Sequence, residues 1–215
     1  MGFNMSWVLV DEINEDALYD ALDLAATGIT PDEHDLGTSH VPLAGAALKS
    51  GWCAVFAQYA LVMDATVGTN PARLMRLPTG SRCITCVVLE HAMVSYASLW
   101  QNGRYAWQIR HDSSQGRGHL EVRGDLTSAF GDFRSIAMEK QRAEDARRKC
   151  GEWAVDYFFD VPLDTAATIT GYRNSAVEKD FFRNLQSLVP TKGNVLTKLS
   201  QPPGWWQTVG SIKYK

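Results

Sequence analysis

At 215 residues, 45% hydrophobic and 21% charged, the chain has the length and make-up of one compact domain. A net charge of -3 does not favour nucleic acid, and four cysteines are too few for a disulfide scaffold. No run approaches the ~18 apolar residues of a membrane span, and no basic segment precedes the first apolar run, so no transmembrane segment and no secretory leader are expected and the expected location is cytoplasmic.

Taken in chain order, WVLV at 7–10 predicts a short first strand. NEDALYDALDLAATG predicts a helix, with Asn14 as N-cap, acids in the first turn, Leu18, Leu22 and Ala25 on one face, and Gly28 past its end. Residues 29–47 read as loop, with Pro31, Gly37, Pro42 and Gly45. GWCAVFAQYALVM at 51–63 is rich in strand formers, and turn residues cluster from Gly68 to Gly80.

RCITCVVLEH and AMVSYASLWQ predict two strands, and Asn102-Gly103 then predicts a tight hairpin into RYAWQIRHD, because a type I′ turn needs positive φ at both central residues. A regular register would pair Gln101 with Arg104, Trp100 with Tyr105, Ser98 with Trp107, Tyr96 with Ile109 and Val94 with His111. One face would then carry Val94, Tyr96, Trp100, Tyr105, Trp107, Ile109 and His111. The other would carry Ser95, Ala97, Arg104, Gln108, Arg110 and Asp112.

GHLEVRG adds a short strand. LTSAFGDFRSIAMEKQRAEDARRKCGE predicts a helix weakly broken at Gly131 and solvated along its charged second half. WAVDYFFDVP predicts a last strand stopped by Pro162, PLDTAATITGY a short helix ended by Gly171, and SAVEKDFFRNLQSLV a helix capped by Ser175 with Glu178. The segment from Pro190 to Lys215 has four Lys, no acid and the adjacent Trp205 and Trp206, and reads as a basic tail on a single 1–189 domain.

The chemistry-bearing residues are few. In a strand, Cys83 and Cys86 have opposite parity, which speaks against a zinc knuckle or a redox pair and for structural thiols. Cys53 reads as a core thiol rather than a nucleophile. Glu90, His91, His111 and Asp112 should gather at the open end of the hairpin, the best candidate for an acid-base or metal-binding cluster, against satisfied structural polar groups. Arg104, Arg110, Trp205 and Trp206 are the candidate binding residues. No phosphate-binding loop, zinc-helix motif or nucleophile elbow is present, and no metal or cofactor is expected.

Four signposts, E-H-x-M-x-S from Glu90, W-x-x-G-x-x-x-W from Trp100, the His111-Asp112 dipeptide and T-G-Y-R from Thr170, resemble those of small uncharacterised bacterial proteins over residues 81–173. The resemblance brings no catalytic role; in size and make-up such proteins are similar to immunity or accessory proteins that accompany bacterial toxins. The resulting expectation is an α+β fold. Its antiparallel sheet is centred on a 92–112 hairpin, extended by 51–58 and 154–160, with helices on the aromatic face. The expected function is non-enzymatic binding of a protein partner, toxin-neutralising or regulatory. The alternatives are an enzyme using the rim cluster, or nucleic-acid or membrane-surface contact through the Lys/Trp tail.

Overall fold

The structure is a computed structural model that describes residues 4–27, 43–58, 71–147, 155–173 and 183–187. Among the described residues it is an α+β fold on a nine-stranded antiparallel sheet ordered β2-β9-β3-β4-β1-β5-β6-β7-β8. The strands are β1 (Asn4–Val10), β2 (Leu24–Ala26), β3 (Leu43–Ala47), β4 (Cys53–Gln58), β5 (Arg82–Leu89), β6 (Val94–Gln101), β7 (Arg104–Asp112), β8 (Glu121–Gly124) and β9 (Arg183–Ser187). The helices are α1 (Glu15–Ala21), α2 (Pro71–Leu74), α3 (Ser128–Arg147) and α4 (Val161–Thr170).

β1 lies at the centre of the sheet, between β4 and β5. Both its faces are covered, which is why WVLV is continuously apolar instead of alternating with polar residues. On one face Trp7, Leu9, Phe56, Ile84, Cys86, Ala97, Leu99, Trp107 and Ile109 pack beneath Leu163 and Ala166 of α4. On the other, Val8, Val10, Val55, Cys83 and Trp100 pack with Leu18 of α1 and with Leu22, its C-cap. Each fully buried aliphatic side chain here contributes about 1.5–3 kcal/mol.

Asn14 caps α1 as expected, its Oδ1 accepting the Ala17 N–H at 2.9 Å. The helix nevertheless stops at Ala21 rather than near Gly28. Asp23 takes a left-handed φ of 56° and anchors two arginines from the α2 region, with Arg76 at 2.8 Å and Arg73 at 3.3 Å. Arg73 donates to the Leu22 carbonyl at 2.9 Å and Arg76 to that of Ala21. Cationic donors on the last carbonyls of a helix satisfy its C-terminus, and Leu24–Ala26 are left to pair with β9.

Three further expectations are corrected. Residues 43–47, read as loop, form β3; Gly45 sits so close under Tyr19 that an added Cβ would fall 2.1 Å from its hydroxyl oxygen. Residues 157–160, read as strand, form a 3-10 turn into α4, because Asp156 accepts the Phe158 N–H and Pro162 falls in the first helical turn. Residues 183–187, read as part of a helix, form β9 against β2 and β3. α3 runs unbroken through Gly131. The Ser175 cap and the tail with Trp205 and Trp206 lie outside the described residues.

The hairpin turn is as predicted, with φ of 53° at Asn102 and 74° at Gly103. The register beyond it is not. Gln101 pairs with Arg104 and Trp100 with Tyr105, but Leu99 pairs with Trp107, so Ala106 is an extra residue on β7. From there Ser98 faces Gln108, Ala97 faces Ile109, Tyr96 faces Arg110, Ser95 faces His111 and Val94 faces Asp112. A bulge reverses the facing of every later side chain on its strand. Trp100 and Tyr105 stack edge-on at 4.9 Å on the α1 side, while Trp107 and Ile109 lie on the α4 side. The rings are therefore divided between two covered faces.

Gly124 makes room for the bulge. Its φ is 76°, and a Cβ there would fall 2.0 Å from the Ala106 carbonyl oxygen. Gly103 has a similar φ, but its added Cβ would meet only Met75 Sδ at 3.6 Å. Gly103→Ala is expected to cost about 1–2 kcal/mol, the backbone strain alone. Gly124→Ala should cost a further 1–3 kcal/mol or so from overpacking, read from denaturation midpoints.

Candidate functional site

The bulge decides where His111 points. On β7 it shares the facing of Trp107 and Ile109, and it enters the seam between the sheet and the 157–160 turn, with no exposed surface. Its Nδ1 lies 2.9 Å from the His119 carbonyl oxygen, and its Nε2 lies 3.2 Å from Asp156 Oδ2. The second contact is within ion-pair reach and falls outside ordinary hydrogen-bond geometry. The ring meets Phe159 edge-on at 6.2 Å, and the neighbouring Ser95 hydroxyl donates to the Phe159 carbonyl at 2.6 Å. Burial works to raise the Asp156 carboxyl. The contact and charge of His111, the Phe158 N–H and the Arg117 charge outweigh it and hold the group below its ordinary range.

Asp112 points the other way and organises the rim. Its Oδ2 meets Arg110 Nη2 at 2.5 Å, and its Oδ1 accepts the Ser114 N–H at 3.0 Å and the Ser114 hydroxyl at 2.6 Å. Its own N–H donates to His119 Nδ1 at 3.1 Å. Arg110 also lies 3.6 Å from Glu121, and His119 Nε2 lies 3.5 Å from the same carboxylate. Burial pushes the His119 ring down from its ordinary value, with Arg110 and His111 adding to the effect against Glu121 and Asp112.

The expected quartet comes together only in part. His111 and Asp112 occupy the rim on opposite faces of β7. Glu90 and His91 form an exposed 3-10 turn at the same end of the sheet, where His91 Nδ1 meets Asn4 Oδ1 at 2.7 Å. Arg104 is exposed beside the hairpin turn, at the far end of β7 from Arg110, and the bulge puts the two on opposite faces instead of the one face expected. Asp156, Ser114, Glu121 and Phe159 were not among the candidates. The signal for Asp156 was its place two residues ahead of an aromatic pair and six ahead of Pro162, as for an Asp that caps a turn entering a helix.

The thiols face opposite ways, as parity requires: Cys83 lies in the core under α1 and Cys86 in the core under α4. Burial pushes the Cys83 thiol up to about 12 and raises Cys86 as well. Burial and the Glu15 charge raise Cys53, whose Sγ donates to the Ile13 carbonyl at 3.1 Å. Thiols held protonated in this way are poor nucleophiles.

Among the described residues, no three His, Cys, Asp or Glu side chains are grouped as a metal ion would require. No helix among them is long and apolar enough to cross a membrane. No family model, curated protein or solved structure matches the chain.

Replacing Asp156 by Asn keeps the acceptor for Phe158 but removes the charge facing His111. It is expected to cost about 1–3 kcal/mol, as for a buried polar group that loses its partner. A depressed carboxyl stabilises the fold fully above its unfolded value near 3.8, and that contribution is lost as pH falls through the lower folded value. Acid titration of stability should therefore show this loss in the native chain and not in Asp156→Asn. Superimposable acid-unfolding curves would contradict the assignment.

Proposed function

We propose that the chain is a non-enzymatic binding protein whose contact surface is the pair of polar turns at the open end of the 94–112 hairpin. The observation that carries this reading is the Ser113 N–H donating to the Met93 carbonyl at 3.1 Å, which ties the two turns together. One turn exposes Glu90, His91 and Ala92, and the other exposes Ser114, Gln115, Gly116 and Arg117. The second turn is mounted on buried groups: Asp112 holds Ser114 in place, and His111 holds the His119 carbonyl. Recognition surfaces are commonly loops set on such a rigid scaffold. The titratable groups of the rim are used to position backbone: Asp112 closes the 113–115 turn, and His111 joins β7 to the turn ahead of α4. A protein partner of polar surface fits these turns, in keeping with a toxin-neutralising or regulatory role.

The test uses Ala92→Arg together with Gln115→Arg, at exposed positions outside the buried network. A partner co-purified from native cells, identified and then titrated in pure form, is expected to bind the double variant at least tenfold more weakly with an unchanged melting temperature. Undiminished affinity would overturn the assignment of the surface. Turnover of a substrate that is lost in Asp112→Asn but kept in the double arginine variant would carry the enzymatic reading instead.

A further inference from the structure

We propose that His119 is a proton-operated clamp on the β7–β8 loop, closed while its Nδ1 accepts the Asp112 amide and released in mild acid. A backbone N–H can only donate, so the 3.1 Å contact requires an unprotonated Nδ1. The remaining ring proton then sits on Nε2, facing Glu121 at 3.5 Å. The same residue closes the loop twice more through its backbone. Its N–H donates to the Gly116 carbonyl at 3.1 Å, and its carbonyl accepts from His111 at 2.9 Å. Ring and backbone together pin the seven-residue step from Asp112 to His119 at its base.

A second ring proton would convert Nδ1 from acceptor to donor. Two N–H groups would then confront one another, and the Asp112 amide, on a residue only 7% exposed, would lose its partner. The new charge would face Glu121 on β8 and Asp112 on β7 favourably, but Arg110 and the buried His111 on β7 unfavourably. Of the other charged groups tied to this loop, Asp156 is already engaged with His111, and Arg117 is paired with Asp145 of α3 at 2.6 Å. None of these replaces the lost acceptor.

In the open loop the ring is an ordinary histidine, with a value near 6.5. The closed form binds the second proton less readily than the open form. Closure is therefore at full strength above about pH 6.5 and weakens as pH falls below it. Gly116 and Gly118, with φ of 113° and 88°, give the loop the backbone freedom to move. The device is a property of the free protein and does not require the partner proposed above.

The test is amide exchange and imidazole nitrogen NMR on the full chain between pH 5 and 8. At pH 7.5 the His119 ring is expected to show a bare Nδ1. Below about pH 6.5, protection of the 113–118 amides, corrected for intrinsic exchange, should fall by up to about tenfold per pH unit. In His119→Gln, whose amide oxygen can accept from Asp112 but does not titrate in this range, the profile should be flat. In Glu121→Gln, which removes an attraction for the closed ring's charge, the fall should continue to lower pH. The proposal is overturned if the ring titrates at or above 6.5 with the Asp112 amide protected throughout, or if His119→Gln keeps the wild-type profile.

Discussion

The arrangement of the site depends on one inserted residue. Ala106 has no partner on β6, and Gly124 on the neighbouring strand leaves space for the carbonyl it displaces. Without the bulge, Trp107, Ile109 and His111 would share the face of Trp100 and Tyr105 under α1. His111 would be removed from Asp156, and the core under α4 would lose Trp107 and Ile109. Reversal of facing makes a bulge an economical way to re-aim several side chains at once. Here it lets one hairpin serve two cores, with its stacked ring pair on one side and its buried histidine on the other.

The His111–Asp156 contact joins this hairpin to the α4 unit. A buried polar contact of this kind gains little net stability, while leaving one of its groups without a partner is costly. Its effect is on the choice of structure: the 157–160 turn is held against the end of β7 by the ring contact, by Ser95 on the Phe159 carbonyl and by Phe159 itself. α4 is closed at its other end by Gly171, in the left-handed region, and by Arg173, which returns to Asp160 at 2.6 Å and Asp164 at 2.9 Å. Tyr172 between them packs against Trp7 and Phe56. The four signposts thus coincide with architectural devices: a left-handed turn at Met93, the Asn102-Gly103 reversal and its bulge, the rim pair, and the α4 cap.

Much of the local structure was legible. Asn14 as a cap, the type I′ turn, the strand at 82–89 with its thiols on opposite faces, and the Pro-to-Gly helix at 161–170 each follow from chemistry within a few residues. The failures share a cause. Helix α1 ends earlier than its own sequence implies because the arginines that end it come from about fifty residues later. The strands at 43–47 and 183–187 exist through pairing with each other and with β4 and β2, and alternation within them is weak. The 156–160 segment is apolar enough for a strand, but the Asp156 cap ahead of Phe158 diverts it into a turn. Of the candidate quartet, the sequence placed all four members at one end of the sheet and could not tell which would converge.

The sequence by itself determined the reversal at Asn102-Gly103, the α+β class, the cap that starts α1 and the Pro-to-Gly bounds of α4, because positive φ, ring-locked proline and side-chain capping act within one turn of chain. Tertiary structure alone decided the bulge, the two-sided burial of β1 and the partners of His111. Those depend on which backbone lies 5 Å or so away across the sheet, and a carbonyl at Ala106 meets a glycine at 124 only once β8 has docked.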